Sequence, residues 1–436
     1  MDKYQKTNDV NLESMVLLSD QGGIIDVSKL VTRVDLFEDI YSHFMTGLIM
    51  VNDGVGIRTH LPIMGTESFE LSYRTPGFGQ PMLKVRMNIV SITKREISKN
   101  NSSEVYELKL KSPSYLINEA TRVQGAYSGK ISDIVKRILV KYLPGSKYII
   151  QPTKNDYKFT IPNMKITEVM DMLCKHAVSE EGDPNYLFYE NVGGFIFRSI
   201  GDMSKQPTAK KYHNKLASIN DGTDKVKQEF MKIQDIQIES DFDIEKSISV
   251  GALSSKLITH DITTKTINTS FFNYITSFNE FNHINENKRF PSTSKFSKLL
   301  DGFNIVLPKS TLNHGEMFDR NQNYEDFVQS GISTRNMFLN DTVMVRVSGD
   351  SRLRAGMVAE LSMPATEPKS GSNDPNYENK YSSGRYLITS IRHHFINMGT
   401  KEYTNVIEMS RDSLPMAIPD VKKFDNPSGI EDGTVN

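Results

Sequence analysis

One cysteine, no tryptophan and no long apolar run: these shortages bound the 436-residue chain before any motif is read. The lone Cys174 excludes an internal disulfide and any zinc site built from several cysteines. A reducing place of synthesis fits it. No run approaches the ~18 apolar residues of a helical membrane span. The opening residues Met1 to Lys6 lack the apolar stretch of an export signal, so a soluble chain, not exported by a standard signal, is expected. Net charge is missing too. Lys and Arg number 52, Asp and Glu 53, for a formal net charge of −1. That balance supplies no global attraction to nucleic acid or to a membrane surface, though it leaves local patches open. Aromatics other than tryptophan are plentiful, with 18 Tyr and 22 Phe. With many alternating runs they favour a β-rich protein. The length sets a prior of about three domains, each able to hold its own core.

A hairpin pattern occurs twice. The cleaner copy runs from Leu387 to Phe395, turns at Asn397 to Thr400, and returns from Tyr403 to Ser410. The other runs from Ile89 to Ile97, turns at Ser98 to Ser103, and returns from Tyr106 to Ser112. Each has an apolar run, a basic residue, a polar turn, a Tyr and a strand ending in Ser. A proline with apolar neighbours follows both (Pro113 with Tyr115 and Leu116; Leu414, Pro415 and Met416). The copies lie roughly 300 residues apart, which is no solenoid period. One β domain used twice, with other material between, is the implied organisation.

Residues 1–112 read as about six strands, with turn signals at Gln21 to Gly23, Asn52 to Gly54 and Thr75 to Pro81, in the manner of an antiparallel sandwich or small barrel. From Pro113 the character changes. Helices are predicted over Lys130 to Leu143, with Ser128 as a candidate N-cap and Pro144-Gly145 as the stop, and over Lys165 to Ala177. A hairpin is predicted at Tyr186 to Glu190 and Phe195 to Ile200. Residues 113–200 are thus a small α+β domain, and the polar stretch 201–228 a linker. A second β domain is assigned to 229–274 and 331–412, interrupted by an insertion at 275–330 with weak periodicity. The Pro-bearing stretch 413–436 is an extended tail.

Candidate chemistry is sparse. His393 and His394 are adjacent, so in a strand they face opposite ways and cannot chelate one metal. Cys174 and His176 sit two apart on a helix and face different directions. Glu180, Glu181 and Asp183 form a local acidic group, for which a solvated charge run is the plain reading and acid–base work the sharper one. His213, His260 with Asp261, His283, and His314 with Glu316 are scattered, without metal-binding spacing. The loop Gly349 to Gly356 carries Arg352 and Arg354 and would suit a phosphate, but no helix N-terminus follows it. Lys94, Arg95 and Arg392 read as solvated hairpin positions, or as a face toward nucleic acid. No phosphate-binding, nucleophile-elbow or dinucleotide motif is present. Catalytic, cofactor and metal sites are therefore assigned to no residue.

With the hairpins and middle segment in place, the chain resembles the baseplate hub proteins of contractile-tailed bacteriophages, and the matching part of type VI secretion spike proteins. Four stretches carry this: Tyr127 to Leu139, Tyr186 to Ser199, Gly349 to Leu361, and Ser383 to Phe395 continuing through Tyr403 to Ser413. The resemblance implies two tail-tube-like antiparallel β-barrels flanking the α+β domain. It implies a homotrimer with pseudo-sixfold symmetry, adapting a sixfold tail tube to a threefold central spike and leaving a channel for DNA. Expected partners are the central spike protein and the tail tube or tube-initiator protein, with tape measure and baseplate wedge proteins as further candidates. DNA would pass without specific binding, and no membrane insertion is expected. The expected location is the virion tail baseplate, after assembly in the host cytoplasm. Two other classes stay in view: a tail-associated cell-wall hydrolase using Glu316 or Glu325 of the insertion, and a host-surface glycan-binding module built on the insertion's aromatics.

Overall fold

Apolar residues at alternate positions near both ends of the chain build antiparallel sheet, as period-two patterning requires. The computed structural model describes residues 6–60, 63–98, 103–214, 225–262, 264–309, 324–365 and 378–418. Its N-terminal part supplies β1 (Asn11–Leu18), β2 (Ile24–Asp26), β3 (Val31–Asp39), β4 (Thr46–Asp53), β5 (Ser68–Arg74), β6 (Leu83–Ile97) and β7 (Glu104–Lys111). The middle adds β8 (Val123–Lys130), β9 (Tyr148–Ile150), β10 (Asp156–Met164), β11 (Tyr186–Asn191) and β12 (Gly194–Ser199). The remainder holds β13 (Thr208–His213), β14 (Ile233–Ser240), β15 (Ser254–Asp261), β16 (Thr266–Asn273), β17 (Asn304–Lys309), β18 (Asp341–Ser348), β19 (Val358–Ser362), β20 (Gly384–Met398) and β21 (Thr400–Arg411).

Two five-strand runs share one plan. Neighbours are ordered β5–β6–β7–β4–β3 in the first and β19–β20–β21–β18–β14 in the second, all antiparallel and in the same chain order. Their irregularities coincide as well. Register breaks between Ile89 and Ser91 in β6 and between Ile388 and Ser390 in β20. It breaks between Val31 and Arg33 in β3 and between Ile233 and Asp235 in β14. A bulge bends its strand at a defined place, so matching bulges mark the runs as copies. They also shift the hairpin match by one residue from the sequence alignment: Ile89 opposes Leu110 as Ile388, not Leu387, opposes Met409.

β20 joins the runs. Its first half pairs with β19 and its second half, Ser390–Ile396, with β3. One 13-stranded sheet results, wrapping two cores. Phe395 and Tyr403, at the tip of the β20–β21 hairpin, complete the first core beside Leu36, Phe69, Tyr73 and Leu108. There the Tyr403 N–H donates to the Asn8 carbonyl at 2.9 Å. The second core gathers Val345, Leu361, Ile388 and Ile407, and a bridge between His213 and Lys232 brings β13 back to the start of β14.

Between the runs, the helices Ile131–Tyr142 and Ile166–His176 bury Ile134, Val135, Ile138, Val169, Met170 and Leu173. They pack with the β11–β12 hairpin, where Phe188 stacks on Phe195 with ring centroids 5.3 Å apart. Ser128 lies within β8, and the first of these helices starts after Lys130 with no side-chain cap. A helix absent from the sequence reading, Pro113–Ala120, opens where the Ser112 hydroxyl accepts from the Ser114 N–H.

Two segments differ from the expected organisation. The stretch 201–228, read as linker, contains β13, which pairs in parallel with β19. Its lysines hid a strand whose Tyr212 is buried in the second core. β15 and β16, assigned to the second β domain, pair instead with β17 in a three-stranded sheet of their own. The helix Val328–Phe338 anchors it, with the Gln329 amide donating to the Ser255 carbonyl at 2.8 Å. The excursion from the second run therefore spans 241–340 rather than 275–330. Of the stretch 413–436, residues to Ile418 are described, and Leu414 exchanges backbone hydrogen bonds with Asn287 at 2.7 and 3.0 Å. No helix among the described residues is long and apolar enough to cross a membrane.

Candidate functional site

Three clusters of buried carboxylates and their partners sit where the two runs and the middle domain meet. On β3, Glu38 shares the core-facing phase of Val34 and Leu36, which places a carboxylate inside the molecule. Its oxygens accept from the Val192 N–H at 3.0 Å, in the β11–β12 turn, and from the Ala355 N–H at 2.9 Å, in the loop before β19. His393 of β20 lies 3.6 Å away, and its other ring nitrogen meets the Tyr403 hydroxyl at 2.7 Å. Burial pushes the Glu38 carboxyl up, but nearby His393, then Arg354 and the Val192 N–H, bring it below its ordinary value.

Asp35, on the opposite face of β3, meets the Arg392 guanidinium at 2.8 Å and His394 Nδ1 at 2.6 Å. Again burial opposes ionisation and these two partners override it. A third cluster ties the Thr75–Pro81 loop to the second run. Asp350 pairs with Lys210 at 3.0 Å and with Arg352 at 2.7 Å, and the Lys210 ammonium lies 3.2 Å from the Phe230 ring centroid. Arg352 covers the Phe78 ring at 3.8 Å. Burial lowers Lys210 to about 8 against the pull of Asp350. Burial would raise Asp350, yet Arg352 and Lys210 hold it at about 2. Beside this cluster the Thr75 hydroxyl donates to the Gly349 carbonyl at 3.0 Å. Glu190 forms the seam to the middle domain, accepting from the Ser112 hydroxyl at 2.8 Å and the Met45 N–H at 3.2 Å.

Gly349 shows how tightly the joint between the two runs is closed. A Cβ there would stand 2.2 Å from the Tyr403 ring. Gly349→Ala is expected to lower stability by about 2 kcal/mol, because the ring or the loop must shift. Thermal unfolding of the purified variant measures it, and an unchanged midpoint would refute the close fit.

The sequence candidates fall into place without forming a reactive centre. His393 and His394 face opposite ways and belong to the Glu38 and Asp35 clusters. Arg392 is half-buried rather than a solvated hairpin position. Cys174 and His176 do not meet: burial raises the thiol well above its ordinary value, and His176 Nδ1 lies 2.9 Å from the Met172 carbonyl. Glu180 pairs with Lys130 at 3.2 Å and Glu181 with Lys205, while Asp183 accepts from the Asn282 amide at 2.5 Å. His213 forms the bridge noted above, and His260 is exposed on β15 while Asp261 is buried. His283 is held between Asp412 at 2.6 Å and the Phe278 carbonyl at 2.7 Å. Glu325 pairs with Lys309 at 3.2 Å. His314 and Glu316 lie outside the described residues. In the loop from Gly349 to Gly356, Arg352 binds Asp350 and Arg354 donates to the Ser351 carbonyl at 2.7 Å, so both guanidinium groups are spent on the loop itself. Lys94 pairs with Glu107 at 3.0 Å and Arg95 with Glu104. Among the described residues, no group of three or more His, Cys, Asp or Glu side chains is placed to hold a metal ion.

Sequence reasoning passed over Asp35, Glu38, Glu190, Lys210 and Asp350. The available signal was phase: Glu38 stands in step with buried Val34 and Leu36, and Lys210 with buried Tyr212. What these residues do together is mechanical. Each cluster spans two units, or three at Glu38, and ties them together.

No family model matches the chain, and no curated protein matches it in sequence. Solved structures do match. The tail protein from Neisseria meningitidis MC58 superposes with a TM-score of 0.54 at 9% identity, over 92% of this chain and 98% of that one. The 43 kDa tail protein of prophage MuSo2 from Shewanella oneidensis gives 0.52 at 10% identity, over 92% and 100%. Over 92% of its length, this chain carries the fold of these two tail proteins.

Proposed function

We propose that the chain is the structural hub of a contractile phage tail baseplate and acts without catalysis. The observation that carries this reading is the duplicated five-strand run, with its matching order and bulges, held rigid by buried ion clusters. Three copies would present six similar arrays in a ring. Such a homotrimer seats a sixfold tail tube on one side and a threefold central spike on the other, around a passage for DNA. Its partners are then the spike protein and the tube or tube-initiator protein, with tape measure and wedge proteins at the same assembly. Its place is the virion tail, reached after assembly in the host cytoplasm. Interfaces of this obligate kind bury about 2,000 Å² or more. The tail fold shared with the two solved proteins supports the reading. Mass measurement on the purified full chain, alone and co-expressed with its spike protein, tests it. A trimer is expected; a stable monomer under both conditions overturns it.

A further inference from the structure

Within one chain, the two runs meet edge to edge: β20 pairs with β3, Arg392 opposite Phe37 and Phe395 opposite Val34. Each partner has a counterpart in the other run. β14 stands in the second run where β3 stands in the first, and β6 stands in the first where β20 stands in the second. Among the described residues these counterparts lack outer strand partners. β14 ends its sheet. β6 pairs with β5 only from Leu83 to Asn88, so Ser91–Ile97 is held by β7 alone.

Exposure follows pairing. Ile238 takes the position of Leu36, as their partners Val343 and Gly47 show; Leu36 is 0% exposed and Ile238 59%. Ile97, opposite Glu104, takes the position of Phe395, opposite Tyr403. Phe395 is 0% exposed and Ile97 55%. Open edges bearing exposed apolar side chains are templates for another chain.

The two open strands also share a deviation from their counterparts. β6 carries one extra residue between Thr93 and Glu96, and β14 one between Ile238 and Ser240. β20 and β3 have no such insertions at the matching places. Paired with each other, the two insertions cancel. Carrying the internal register across then keeps the two strands in antiparallel step on both sides of the bulge: Thr93 opposite Ser240, Lys94 opposite Glu239, Arg95 opposite Ile238, Glu96 opposite Gln237 and Ile97 opposite Ile236. Lys94 and Glu239 are of opposite charge, and the two isoleucines meet.

We propose that β6 of one copy pairs with β14 of the next in this register, repeating between chains the joint that β20 and β3 make within one. The occupant is a second copy because the chain already contains the seated version of the same joint. This rests on the homotrimer reading above and specifies its contact. Glu96→Cys combined with Gln237→Cys should give a covalent trimer on oxidation, whereas Glu96→Cys with Gln234→Cys should not. Lys94→Glu and Glu239→Lys should each weaken association about tenfold or more, through like charges set opposite. The double variant should restore it. A trimer by mass that neither cross-links nor shows this rescue overturns the proposed register and leaves the hub reading standing. A monomer throughout, with or without spike protein, overturns both.

Discussion

Glu38→Ala is expected to destabilise the folded chain by about 3–5 kcal/mol, mostly through the two buried N–H groups that it strands. The side chain is 1% exposed. Its two oxygens satisfy N–H groups from two other units, Val192 of the middle domain and Ala355 of the second run. Truncation leaves both donors unpaired, at about 1–3 kcal/mol for each unsatisfied group, and removes the carboxylate facing His393. Glu38→Gln should fall between the wild type and alanine, because one amide oxygen can serve one of the two donors. The damage should appear at the joints before it appears in the cores. Hydrogen exchange at the Val192 and Ala355 amides should accelerate in Glu38→Ala, while amides within the helix Ile131–Tyr142 stay protected. A stability loss below about 1 kcal/mol would show that Glu38 does not hold the three units together.

The joints were the least legible part of the sequence, and the reason is physical. Periodicity reports which face of an element is buried, not what buries it. The apolar spacing of Ile131, Ile134, Val135 and Ile138 places a helix, and the alternation in Leu387–Phe395 places a strand. Adjacent histidines must diverge on a strand, and His393 and His394 do. The same logic fails for β15 and β16, because a half-buried strand looks alike in either sheet. It fails for β13 because Lys210 reads as solvated until Asp350, Phe230 and Tyr212 surround it. Glu38 is visible as an acid in an apolar phase, but its partners lie far along the chain, at Val192, Ala355 and His393. The duplicated hairpin was legible as a resemblance of composition. Its depth was not, since the bulges and strand order that identify the two runs as copies leave little trace in residue type.

Acidity should tune one of these joints in the opposite sense from most carboxylates. Burial raises Glu190 from an ordinary 4.5 to about 7, with the charge of Glu38 adding to the rise and the hydrogen bonds from Ser112 and Met45 opposing it. Between those two values the folded chain binds a proton that the unfolded chain has released. Stability contributed by this site is therefore complete below about pH 4.5 and declines as pH rises toward 7, by about 3 kcal/mol in all. The neutral acid accepts both hydrogen bonds; the ionised form keeps them but stands desolvated. Glu190→Gln removes the titration while retaining an amide oxygen. Urea unfolding of wild type and variant at pH 5, 6, 7 and 8 separates this site from all others, because their shared titrations cancel in the difference. The variant should lose ground at pH 5 and gain on the wild type steadily to pH 8. A difference constant across that range would mean that Glu190 titrates normally and that water reaches the seam between Met45, Ser112 and the middle domain.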